Sequence, residues 1–153
     1  MMEFRHAAKE DLASIVRLLA DDTLGASRER YEEPLPQAYA QAFSAIQNQQ
    51  GNFILLAVED AEVVGCLQLT LIPGLARLGM TRAQIEGVRI SNAHRGKGIG
   101  EALFRHAIAY AREQGCGLVQ LTTDKSRGDA HRFYQRLGFA DSHVGMKLML
   151  VDD

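Results

Sequence analysis

Nowhere does this sequence carry an apolar run long enough to cross a bilayer, and its first residues lack the apolar centre of a secretory signal. No membrane role is expected of it. Charge of one sign is missing too. The formal net charge is -2, which excludes a nucleic-acid binder working through bulk positive charge. Cysteine is scarce: Cys66 falls within an expected strand and Cys116 between two glycines. Both read as free thiols in a reducing cytoplasm rather than as a disulfide framework. His94, His106, His131 and His143 show no metal-ligand spacing, so no metal is expected, and no Ser or Cys stands in a nucleophile elbow. Internal repeats, linkers and low-complexity segments are absent, and residues 1–153 read as one domain.

What is present suits a globular α/β chain, with 46% hydrophobic and 24% charged residues. Residues 3–7 read as a first strand. Leu12, Ile15, Val16 and Leu19 then recur at the spacing of an amphipathic helix. The polar stretch 21–36 reads as a loop, and Tyr39, Ala42, Phe43 and Ile46 mark a second helix. Residues 53–58 and 63–72 form an expected antiparallel pair, followed by an extended connection over 75–81. A strand at 85–90, a helix with Ile99, Leu103, Ala107 and Ala111 in register, and a strand at 118–123 imply a parallel pair with a right-handed crossover. A short helix follows, with Asp129 as its expected cap and Ala130, Phe133, Tyr134 and Leu137 on one face. Residues 144–151 read as a final strand.

The central unit contains the run Arg95-Gly96-Lys97-Gly98-Ile99-Gly100 at the head of its helix. Glycines free the backbone to turn so that several N–H groups can converge, and the helix N-terminus adds unpaired N–H groups and positive dipole. This combination suits a diphosphate-like anion. The spacing is neither that of a P-loop nor that of Gly-x-Gly-x-x-Gly.

The order Arg95-x-x-Gly98-x-Gly100 resembles the acyl-CoA signature of the GCN5-related N-acetyltransferase (GNAT) superfamily. Downstream, Ala130-His131-Arg132-Phe133-Tyr134-Gln135-Arg136-Leu137-Gly138-Phe139 is similar to that family's second motif. The resemblance implies one mixed sheet of about six to seven strands flanked by about four helices, and direct acetyl transfer from acetyl-CoA to an amine in a ternary complex. It also assigns roles. Val88, Arg89 and Ile90 would pair with the pantetheine arm as an added strand would, and the Val88 N–H would polarise the thioester. Arg95, Gly96, Lys97, Gly98, Ile99 and Gly100 would hold the diphosphate.

Tyr134 matches the family's general acid, and Glu86 is the candidate base, directly or through water. Strand alternation would put Glu86 and Val88 on one side. Gly87 between them fits a bulge or a close approach by ligand. Acidic residues of the connector, including Glu29 and Glu32 beside Tyr31, could attract a cationic amine, and His143 could edge the acceptor pocket. The expected partner is a small-molecule amine, with no nucleic acid; homodimerisation follows only from family analogy. Acetylation of a peptide amine, a non-catalytic acyl-CoA-binding module and a nucleotide-binding α/β domain are the alternatives.

Overall fold

Asn52–Glu59 (β2) and Glu62–Ile72 (β3) carry the densest apolar runs of the chain, and a two-residue turn folds them together. Asp60 and Ala61 both take positive φ, 50° and 67°, the geometry that a tight hairpin turn requires. In the computed structural model, which describes residues 1–152, these strands lie at the centre of one five-stranded sheet whose strands are neighbours in chain order. Met2–His6 (β1) lies antiparallel to β2, and Arg82–Ile90 (β4) antiparallel to β3. Leu118–Gln120 (β5) runs parallel to β4, as the crossover requires.

Alternation along the strands gives each face of the sheet its own core. Leu55, Ala57, Leu67, Leu69, Ala83 and Ile85 pack against Ile99–Glu113 (α5), which contributes Ile99, Leu103, Phe104, Ala107 and Ala111. On the other face Leu56, Val58, Val63 and Cys66 meet Ile15 and Leu18 of Leu12–Ala20 (α1) and Phe43 of Gln37–Asn48 (α3). Each of the buried Leu, Ile, Val and Phe side chains among these contributes roughly 1.5–3 kcal/mol. Gly128–Arg136 (α6) leans on the α5 core through Phe133 and Tyr134, whose rings surround Phe104 at centroid distances of 5.7 and 5.4 Å. Cys66 and Cys116 are both free thiols, and burial pushes the Cys66 thiol up to about 12.

The mixed α/β sheet expected from the sequence is present, but the described residues form five strands and six helices instead of six to seven and about four. A strand is lost because 144–151 pair with nothing among the described residues, and β5 is shorter than expected because residues 121–123 leave the ladder after Gln120. One helix is gained inside the connector, where Thr23–Arg28 (α2) forms. Asp22 caps it by accepting the Gly25 N–H at 2.6 Å. The connection after β3 is not extended: Ala76–Gly79 (α4) is a single turn, with Arg77 and Leu78 in the left-handed region. Asp129 does not cap α6. It sits in the first turn and pairs with Arg132 instead.

Candidate active site

β4 changes character half-way along its length. Arg82, Ala83 and Gln84 pair with β3 on one side and with all three residues of β5 on the other. The Gln120 amide donates to Gln84 Oε1 at 2.8 Å across the last rung. Beyond it β5 turns away, and residues 85–90 keep a strand neighbour only on the β3 side. The result is a gap between two parallel segments, lined on one side by unpaired backbone.

Gly87 sits in that half with φ 64°, and the β3–β4 register shifts opposite Leu67. This is a bulge, one extra residue in β4. It resets the alternation, so Val88 and Ile90 join Ile85 in packing toward the α5 core, while exposed Glu86 lies on the opposite face. The expected placement of Glu86 and Val88 on one side is therefore corrected, because simple period-two counting cannot cross a bulge. Ser91 N donates to Val64 O at 2.8 Å. By alternation the N–H groups of Ile90 and Val88 then point away from β3, into the gap.

The strand ends in a short turn, Asn92–His94, and the glycine run follows. Gly96 and Gly98 take φ of 79° and 78°, and Gly98 caps α5 from the left-handed region with no side chain capping the helix. A Cβ at either position would meet nothing within 4 Å, so glycine is favoured there by conformation and not by crowding. Among the described residues no protein acceptor takes the N–H of Gly98, Ile99, Gly100 or Glu101. Ile99 is buried and anchors the turn, while Arg95, Gly96 and Lys97 are exposed. A Cβ on Gly100 would touch Phe133 and Ile90 at 3.5 and 3.7 Å, so the head of α5, the end of β4 and α6 converge.

Tyr134 is half-buried at this junction. Burial raises its phenol above the ordinary tyrosine value, with Arg127 and Arg89 pulling the other way, so it is protonated at neutral pH. The two arginines were not joined by any sequence signal. They meet at Asp22, whose Oδ2 lies 3.6 Å from Arg89 Nε and 2.7 Å from Arg127 Nη2. Burial pushes the Asp22 carboxyl up, but the Gly25 N–H and the two guanidiniums outweigh it and hold it below the usual range. Arg89 Nη1 also donates to Val88 O at 2.8 Å. Two buried polar side-chain atoms lack a hydrogen-bond partner among the described residues, Arg89 Nε and His94 Nδ1. One lies beside the gap and the other leads into the glycine turn. A buried polar atom without a hydrogen-bond partner calls for a physical reason, and a bound ion, water or ligand is one.

Three carboxylates of the acidic connector meet local partners, while Glu33 is exposed. Glu29 accepts from Tyr39 Oη at 2.7 Å, Glu32 pairs with Arg30 at 2.7 Å, and Asp21 Oδ2 accepts from Asn92 N at 3.4 Å. Tyr31 is exposed, as is His143, whose ring nitrogen lies 2.7 Å from Ser142 Oγ. Glu86 is exposed and pairs with no cation among the described residues.

Residues 13–139 match the acetyltransferase (GNAT) family. The chain belongs to that family. An aminoalkylphosphonate N-acetyltransferase from Salmonella typhimurium is 33% identical over 141 residues, spanning 92% of this chain and 86% of its own. A crystal structure of a transcriptional regulator from Bacillus halodurans C-125 is 49% identical, with a TM-score of 0.96 over 98% of this chain and 100% of that one. A Trypanosoma brucei acetyltransferase is 26% identical, with a TM-score of 0.79 over 98% and 100%. Several other curated relatives are longer, and the matches span 27% to 46% of their lengths. As a GNAT protein the chain is an acetyl-CoA-dependent N-acetyltransferase. Its unpaired N–H groups, left-handed glycines and one-sided strand fit that co-substrate. Among the described residues no cluster suited to a metal ion is present, and no helix is long and apolar enough to cross a membrane.

Proposed function

We propose that this chain, acting as one domain over residues 1–153, acetylates the primary amine of a small molecule that also carries an anionic group. The transfer is direct, within a ternary complex. The observation that carries this reading is the pair Arg89 and Arg127 held around a single carboxylate, Asp22, within electrostatic reach of Tyr134. Two guanidiniums against one carboxylate leave positive charge in excess, and arginine matches planar or tetrahedral anions well. Of the connector carboxylates, Glu32 is already paired with Arg30, and Glu29 is engaged by the Tyr39 hydroxyl. The Salmonella relative, named for aminoalkylphosphonates, supports the same chemistry.

When bound, acetyl-CoA supplies an activated acyl thioester. The N–H groups of residues 96–100 hold its diphosphate, with Arg95 and Lys97 adding charge, and Val88 to Ile90 pair with its amide arm. The Val88 N–H donates to the carbonyl oxygen as that oxygen gains negative charge. Glu86 takes the amine proton through water, and the Tyr134 phenol protonates the departing sulfur.

The test is initial-rate acetylation of 2-aminoethylphosphonate, amino acids, polyamines and an uncharged amine, with Arg127→Ala alongside. Preference for the anionic amines, and a KM for them raised about tenfold in Arg127→Ala, is expected of one lost ion pair. A preference for polyamines unchanged by Arg127→Ala would overturn the reading. The name of the Bacillus halodurans relative keeps a non-catalytic acyl-CoA-binding module in view; coenzyme A binding without turnover on the whole panel would favour it.

A further inference from the structure

The face of the sheet packed by α1 and α3 is not apolar throughout. Gln68 and Thr70 alternate with Leu67 and Leu69 of the α5 core, so their side chains leave β3 on the α1 side, as Cys66 does. Asn52 of β2 lies opposite Thr70 in register. Its Oδ1 accepts from Gln68 Nε2 at 3.0 Å and from Thr70 Oγ1 at 3.2 Å, while its Nδ2 donates to Gln49 Oε1 at 3.3 Å. The Asn52 amide is engaged at both ends, which fixes the way it faces.

The consequence falls on Gln68. Held at Nε2 from the β2 side, its amide turns Oε1 the other way, toward β4, and among the described residues nothing donates to that oxygen. Its partner in register on β4 is Glu86. Residues directly opposite in an antiparallel pair stand about 4.5–5.5 Å apart at Cβ. An amide oxygen and a carboxylate are therefore neighbours, with no protein donor on either. Gln68 is half-buried and Glu86 exposed, so the pair is open to substrate. Arg89, opposite Cys66 in the ladder, leaves β4 on the same face and reaches Asp22.

Two adjacent acceptors suit one group with two donors. A neutral primary amine is such a group, with two N–H bonds and a lone pair disposed tetrahedrally. Holding both N–H bonds leaves the lone pair one direction, and orientation of this kind lowers the barrier to attack. We propose that Gln68 Oε1 accepts one N–H of the acceptor amine while the other faces the water on Glu86, so that Gln68 selects primary over secondary amines. The nitrogen attacks the thioester carbon, the C–N bond forms and the C–S bond breaks. The proton facing Glu86 passes to it through water, Tyr134 protonates the sulfur, and the N–H on Gln68 is the one kept in the amide product. This role rests on the transfer proposed above, with Glu86 as its base.

Initial rates with 2-aminoethylphosphonate and its N-methyl derivative test it. Gln68→Met keeps the length of the side chain and removes the oxygen. The intact protein is expected to favour the primary amine. Gln68→Met is expected to lose about tenfold of that preference through kcat for the primary amine, as for one hydrogen bond, with coenzyme A affinity unchanged. The N-methyl amine has one N–H, which faces Glu86, so its rate should hold. Asn52→Leu, which frees Gln68 to turn, is expected to lose about threefold of the preference, and Asn52→Asp, which still accepts from Gln68, to keep it. These two variants read the same geometry should Gln68→Met fail to fold. A preference unchanged in Gln68→Met and Asn52→Leu, or a rate that falls equally for both amines, would overturn the role of Gln68 and leave the transfer standing. Coenzyme A binding without turnover of either amine would remove the transfer, and this role with it.

Discussion

The two halves of β4 are one strand with opposite fates. From Arg82 to Gln84 it is paired on both sides. From Ile85 onward it loses one neighbour, gains a glycine bulge, and carries Glu86, Val88, Arg89 and Ile90 beside the gap. The first half holds the fold together. The second leaves backbone groups free, and the residues proposed to bind and react gather there. A sheet can release donors for a ligand only where its own pairing stops, and the paired half must offset that loss in stability.

The largest expected effect probes the junction of the two halves from the β3 side, where the strand is still paired. Leu69→Ala, next to Ile85 in the ladder and fully buried, should cost about 2–5 kcal/mol in urea unfolding yet change the coenzyme A affinity of the folded protein little. A large affinity loss would break the division between halves.

Next is Tyr134→Phe, which should lower kcat about 100-fold with coenzyme A binding retained, measured where chemistry limits the rate. An unchanged kcat would remove Tyr134 from the reaction.

Gly98→Asp should weaken coenzyme A at least about tenfold in calorimetry, since it adds a like charge and about 1–2 kcal/mol of left-handed strain. Arg95→Ala should weaken it less, because the backbone makes the contacts. The reverse order would shift the weight from amides to side chains.

The smallest effect concerns the Asp22 bridge. Its carboxyl is held below the ordinary range, so its contribution to stability is present above about pH 4 and is lost as pH falls through the lowered value. Asp22→Asn should lower Tm by about 3 °C at pH 7, as expected of roughly 1 kcal/mol. The gap between variant and wild type should close in acid. A gap independent of pH would mean that packing, not charge, holds α2.

Much of this architecture could be read from local pattern. Leu12, Ile15 and Val16 announced α1, and Ile99, Leu103, Ala107 and Ala111 announced α5, because a buried stripe must recur at the helix period. Gly87 was readable as a bulge or close approach, but which way the bulge would turn Glu86 was not. The helix α2 was hidden because six residues with a central glycine carry almost no periodicity, and one side-chain cap decides the matter.

By itself, then, the sequence determined what depends on a few adjacent residues: the order of the main elements, the glycine turn at the head of α5, and the aromatic face of α6. Only the tertiary structure decided that Asp22, Arg89 and Arg127 meet, that Glu86 and Val88 part company, and that residues 144–151 lie unpaired. The reason is one of distance along the chain. Backbone conformation is set by near neighbours, whereas a contact between residues far apart in sequence exists only once the sheet, its bulge and its edge have fixed where each one stands.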